Sequence, residues 1–173
     1  MEYDRADKEV AEMSKIKVNE QRTVDEFQEL TAIDAPSFGE RQMADRLIVK
    51  LKELGFEVEE DNAGEHFGGN AGNLYAYLPG DLPGDPVLLS GHMDTVEPSK
   101  VMKGIIGEDG VIRSAGKAVL GADDVAGLVE ILEGICSVKE AGVPHRDIEI
   151  LFAIAEELYI KGSRDRKSTR LNS

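Results

Sequence analysis

The run DIEILFAIAEE, residues 147–157, constrains this chain more than any other stretch. It has the length of one strand, is apolar at almost every position, and closes on two adjacent glutamates. A strand with apolar residues on both faces belongs inside a sheet, with cover above and below. Carboxylates at the end of such a strand are costly unless paired, solvated or bound to metal. Adjacent strand residues point to opposite faces, so Glu156 and Glu157 can serve one site only if the backbone bends beside them. A merely solvated strand end would carry the same pair.

The preceding sequence supplies partners for that strand. In TVDEFQELTAID the apolar Val24, Phe27, Leu30 and Ile33 recur at helical spacing, which predicts a helix ending before Pro36. In SFGERQMADRLIVKLKELGF, Ser37 stands three before Glu40, the spacing of a capping box. Met43, Leu47, Leu51 and Leu54 share one face of that second helix, and Gly55 stops it. FEVEE, NLYAYLP and PVLLSGH read as strands between Gly, Asn, Asp and Pro turns, and KGIIGEDGVIRS reads as a hairpin. DDVAGLVEILEGICSVKEAG predicts a third helix with Leu128, Leu132 and Ile135 on one face, ended by Gly142 and Pro144. Helices interleaved with buried strands predict an α/β fold. Residues 1–16 are polar and weakly patterned and read as an arm without an assigned role. HFGGNAGN is Gly-rich but lacks the strand and helix flanks of a nucleotide site, and reads as a loop.

Charge and composition exclude several classes of function. Lys and Arg total 20 against 34 Asp and Glu, a net charge of −14, where nucleic-acid binding needs clustered cations. No stretch approaches the roughly 20 apolar residues of a membrane span, and the first residues contain no apolar signal core. A cytoplasmic location is the expectation. The single cysteine, Cys136, rules out a disulfide framework and reads as a buried structural thiol. His66 and His145 read as surface or loop residues.

Three acidic clusters stand where elements begin or end. In SGHMDTVEP a strand runs out into His92 and Asp94, two apart and therefore on one face. That pairing suits a metal-ligating imidazole and the carboxylate that receives its other ring proton, although a surface turn would carry it too. In LGADDVAG, Asp123 and Asp124 open a helix, where Asp is also an ordinary cap, but their carboxylates are placed to ligate a cation. Glu156 and Glu157 form the third cluster. Ligand sites in open α/β sheets lie beyond the carboxyl ends of the strands, where these clusters fall.

GHMDTV, LGADDVAG and AEELYIKGS, in that order, resemble the M20 family of dinuclear zinc peptidases, most closely its peptidase T-like branch, from about Val18 to Ser163. The resemblance implies the N-terminal part of a zinc-exopeptidase-like α/β/α sandwich catalytic domain, without the second, lid and dimerisation domain of such proteins. It implies two Zn2+ ions, with His92 ligating one, Asp94 orienting His92, Asp123 bridging both, Glu157 ligating the second and Glu156 acting as general base. It implies a cis peptide between Asp123 and Asp124. A water activated between the ions would give its proton to Glu156, which would pass it to the leaving amine. The expected activity is release of N-terminal residues from short peptides, of tripeptide aminopeptidase type, with a homodimer as the expected form of the parent protein. A dipeptidase, an N-acyl amino acid deacylase and a non-catalytic binding module are the alternatives. Two positions depart from the family pattern: Val125 stands where Lys is frequent, and Tyr159 near a frequent Gly.

The remaining acidic and histidine ligands of that family come from sequence well downstream of the paired glutamates. DRKSTRLNS, residues 165–173, also resembles the translation of a common sequencing adapter. The expectation is therefore a truncated catalytic domain over residues 17–164, inactive by itself, followed by a non-native tail.

Overall fold

The computed structural model describes residues 14–98 and 104–162. Most of the expected N-terminal arm, Ser163, Arg164 and the expected adapter-derived tail lie outside the described residues. The elements run α1 (Glu20–Thr31), α2 (Arg41–Glu53), β1 (Glu57–Glu60), a 3-10 turn (Ala63–Phe67), β2 (Leu74–Leu78), β3 (Val87–His92), β4 (Gly104–Ile106), β5 (Ile112–Ser114), α3 (Ala122–Ala141) and β6 (Ile148–Ala153). The 3-10 turn occupies part of the Gly-rich stretch that reads as a loop in the sequence.

Four strands form one mixed sheet in the order β1-β2-β6-β3. β1 and β6 each pair antiparallel with β2, and β3 pairs parallel with β6. β4 and β5 make the separate hairpin that the sequence predicts. The register places Leu74, Ala76 and Leu78 beside Phe152, Ile150 and Ile148, and those beside Gly91, Leu89 and Val87. This face is closed by α2, which packs on β1 and β2, and by α3, which packs on β3. Met43, Leu47 and Leu51 of α2 and Leu128 and Leu132 of α3 are buried in one continuous core with Ile150 and Phe152. Each such side chain contributes about 1.5 to 3 kcal/mol of transfer free energy. α1 packs outside, on α3.

The opposite sheet face, with Leu88, Ser90, Tyr75, Tyr77, Glu149 and Leu151, is half-buried or exposed. The apolar run of β6 predicts cover on both faces. Among the described residues only one face lies under helices, so its burial alternates along Ile148–Leu151.

The second helix corrects the capping reading. α2 begins at Arg41, so Glu40 itself is the N-cap residue, and its side chain makes no cap hydrogen bond. Ser37 lies too far upstream to cap, and both side chains turn instead toward the far end of β6 and the strand end of β3. Gly55, after α2, has φ +87 and Gly142, after α3, has φ +62, left-handed values that glycine adopts without cost. Cys136 is half-buried rather than buried, and what burial it has pushes its thiol pKa up.

Candidate metal centre

The site sits where β3, the start of α3 and the end of β6 converge. His92 is the last residue of β3, and its parallel partner on β6 is Ala153. The two strands therefore run out together, and the segments beyond their ends meet. Asp123 and Asp124 fall within the bounds of α3, but their backbone is not helical, and the peptide between them is cis, as the resemblance implies. Beyond β6 the chain bends at Ala155, which has φ +49, and turns both glutamates toward His92 and Asp123.

His92, Asp123 and Glu157 each offer one ligand atom, and these atoms lie within 4.8 Å of one another. Nitrogen and carboxylate oxygens in that compass suit zinc. His92 Nδ1 lies 2.9 Å from the main-chain oxygen of Asp94 and 3.3 Å from its Oδ1. With Nδ1 as the proton donor, Nε2 keeps its lone pair facing Asp123, whose Oδ1 is 3.3 Å away. Glu156 Oε2 stands 3.9 Å from the same Nε2. Asp123 is 88% exposed at its side chain and points to open solvent, whereas Asp94 is fully buried.

The electrostatics follow from this crowding. Burial opposes a charge on His92, but the Asp94 and Asp123 carboxylates outweigh it and push the imidazole up to about 9 in the metal-free chain. Burial and the carboxylates of Asp123, Asp94 and Glu156 push the Glu157 carboxyl up, against the attraction of His92. The carboxylates of Asp123, Glu156 and Glu157 crowd around one imidazole, an excess of negative charge that a cation would relieve.

Asp94 is the hub below the ligands. Burial would raise its carboxyl, but His92, the Ser37 hydroxyl and the N–H groups of Glu156 and Glu157 hold it below its ordinary value. Ser37 Oγ donates to Asp94 Oδ2 at 2.6 Å. Asp124 takes a different role from its neighbour: its Oδ2 accepts the N–H of His92 at 3.1 Å. Two glycines make room for it, since a Cβ at Gly91 would lie 2.8 Å from Asp124 Oδ2 and one at Gly127 2.2 Å from Oδ1.

The structure thus brings His92, Asp94, Asp123, Glu156 and Glu157 together. It adds Ser37, whose spacing from Glu40 has the look of a cap in the sequence, and Asp124, which the sequence places in the cluster without a role. His66 is exposed in the 3-10 turn, and His145 binds locally through Nδ1 to the Arg146 oxygen. Val125 is buried in the core, and Tyr159 is 87% exposed with φ +65, a conformation that favours the glycine expected near there.

The sequence model of peptidase family M28 matches residues 73–171, a span that includes all five of these residues. The match is to M28 and not to the M20 family that the motifs resemble. A tripeptidase structure from Staphylococcus aureus is 36% identical, with a TM-score of 0.84, over 87% of this chain and 40% of its own. The structure of aminopeptidase PepT from Bacillus cereus is 38% identical, with a TM-score of 0.84, over 88% of this chain and 41% of its own. The uncharacterized protein YqjE of Bacillus subtilis is 37% identical over 147 residues, 85% of this chain and 39% of its own length. The chain therefore spans about two-fifths of the length of these relatives, and over that span it has the α/β fold of the PepT-type catalytic domain.

Proposed function

That the chain belongs to peptidase family M28, whose sequence model spans more than half of it, is the premise from which we propose its function. The parent protein is a dinuclear zinc-dependent exopeptidase that removes N-terminal residues from short peptides, and residues 17–164 are part of its catalytic domain. One observation carries this reading: His92, Asp123 and Glu157 converge within 4.8 Å while a second carboxylate, Glu156, stands beside them. The identity to structures described as a tripeptidase and an aminopeptidase PepT supports the peptidase T-like branch of M20 as the nearer kin. No helix among the described residues is long and apolar enough to cross a membrane. A cytoplasmic homodimer is the proposed form of the parent.

Zinc, when bound, supplies Lewis acidity, polarising a peptide carbonyl and making water easier to deprotonate. The residues of this chain do the rest. His92, Asp123 and Glu157 would hold the metal. The main-chain oxygen and carboxylate of Asp94 fix the ring of His92 so that Nε2 faces the site. Glu156 serves as the base, at 40% side-chain exposure open enough to take a proton from water and return it to the departing amine.

Among the described residues three ligands converge, too few for two zinc ions, which take about four each, so this chain alone is expected to hydrolyse peptides negligibly. Reading the source DNA across codon 164 shows whether the frame continues to a downstream acidic residue and histidine. The product of the continued gene is then assayed on tripeptides and on N-acyl amino acids. Zinc-dependent tripeptide turnover that falls at least about a hundredfold in Glu156→Gln is expected. Turnover indifferent to chelators, or confined to acylated amino acids, would sink the reading.

A further inference from the structure

The bend that brings Glu156 and Glu157 together removes residues 154–157 from the β6 ladder, and four consecutive backbone N–H groups lose their strand partners. Buried N–H groups without acceptors are expensive, so where these four go is a physical question. Each goes to a buried side chain. Ile154 N–H donates to Asn73 Oδ1 at 3.0 Å and Ala155 N–H to Glu40 Oε1 at 3.0 Å. Glu156 N–H donates to Asp94 Oδ1 at 3.0 Å and Glu157 N–H to Asp94 Oδ2 at 3.2 Å. Asn73, Glu40 and Asp94 are all fully buried and come from three separate segments of the chain.

We propose that Asn73 and Glu40 are positioning residues of the metal centre, which together with Asp94 form a side-chain cradle that aims Glu157 at the ion and Glu156 at the water. This inference rests on the metallopeptidase reading. Asn73 also binds the far end of the same turn, its Nδ2 donating to the Gly162 oxygen at 2.9 Å and to Asp61 Oδ2 at 2.8 Å. Gly162 lies so close that a Cβ there would be 2.0 Å from the Ile154 oxygen. Glu40 holds the turn from the other side, because Oε1 also accepts the Phe38 N–H at 2.9 Å. Its Oε2 is buried with no partner among the described residues, an arrangement that stability alone does not favour. Neither side chain is among the convergent ligands, so each acts through the backbone it holds.

A Co2+ titration of the full chain, followed by visible absorption, tests the proposal alongside amide exchange of the metal-free chain. Glu40→Leu and Asn73→Ala are expected to weaken Co2+ binding by about tenfold or more, the usual effect of losing a residue that orients a ligand. Glu40→Gln keeps the Oε1 acceptor and is expected to stay within about threefold of wild type. Leu132→Ala, a core substitution away from the turn, is expected to lower Tm while leaving Co2+ affinity unchanged. In the metal-free chain, Glu40→Leu is expected to speed exchange at Ala155, and Asn73→Ala at Ile154, about tenfold or more. Unchanged Co2+ affinity in Glu40→Leu and Asn73→Ala, or an equal loss in Leu132→Ala, overturns the proposal. Failure of the folded wild type to bind Co2+ overturns the cradle's metal role, whereas the metallopeptidase reading stands or falls on turnover by the product of the continued gene. Unaltered exchange at Ala155 and Ile154 overturns the cradle whatever the metal does.

Discussion

Ser37 shows how one hydroxyl can matter beyond its size. Its donation to Asp94 Oδ2 joins the backbone N–H groups of Glu156 and Glu157 and the ring of His92 in compensating a carboxylate that water cannot reach. Ser37→Ala is expected to cost about 1.5 to 3 kcal/mol in urea unfolding, because the acceptor it leaves behind is charged and buried. Asp124 is held as tightly by space as by hydrogen bonding. Gly127→Ala would put a methyl group 2.2 Å from Asp124 Oδ1 and push the carboxylate off the His92 N–H. A loss of about 1 to 3 kcal/mol is expected from that crowding, read from the shift in urea midpoint. Neither position stands out in the sequence. A serine near a helix start and a glycine within a helix have ordinary local explanations, and their partners lie 57 and 3 residues away respectively.

At the scale of elements, α1 is fastened to α3 by charge as well as by packing. Arg22 Nε lies 2.6 Å from Glu133 Oε2, and its Nη1 2.5 Å from Glu140 Oε1. Glu133 also accepts the Asn19 N–H and the Ser137 hydroxyl, at 2.7 and 2.9 Å. Burial would raise the Glu133 carboxyl, but Arg22 and these donors hold it below its ordinary range. A carboxylate depressed on folding adds stability above its unfolded pKa, and that stability is lost as pH falls through its lower folded pKa. Arg22→Ala is therefore expected to cost about 1.5 to 3 kcal/mol at neutral pH and to flatten the acid side of the stability profile, measured by thermal melts across pH. The elements themselves are legible in the sequence because their signals are local. Met43, Leu47 and Leu51 repeat at helical spacing, Gly55 and Gly142 mark left-handed ends, and Leu74, Ala76 and Leu78 alternate on a strand. The residues that converge beyond the strand ends, His92, Asp94, Asp123, Glu156 and Glu157, are legible as well through the motifs that hold them. The supports are not. Ser37 and Glu40 have capping-box spacing, yet their partners are Asp94 and the backbone of Ala155. A spacing rule describes neighbours in sequence and is silent about a turn that folding brings from more than 100 residues away.

The whole molecule is two layers thick where it is described, with helices on one side of the sheet and Leu88 47% exposed on the other. β3, which carries Leu88, is also an edge of the sheet among the described residues, and an unpaired edge with an exposed leucine is attractive to a second copy or to a dye. The chain is expected to bind a hydrophobic dye and to elute larger than a monomer at high concentration. Leu88→Lys is expected to reduce both, as measured by fluorescence and size-exclusion chromatography. Unchanged dye binding would mean that the apolar face lies elsewhere.

The cradle beneath the glutamates has a consequence for the order in which the site is assembled. Its acceptors come from residues 40, 73 and 94, and its donors from residues 154–157, so no early portion of the chain contains the arrangement. A nascent or partly unfolded chain has the acidic residues but cannot hold them in order. The arrangement works as a safety catch: His92, Asp123, Glu156 and Glu157 are held in order only once these distant segments have met, and a molecule that loses its fold loses that order in the same event.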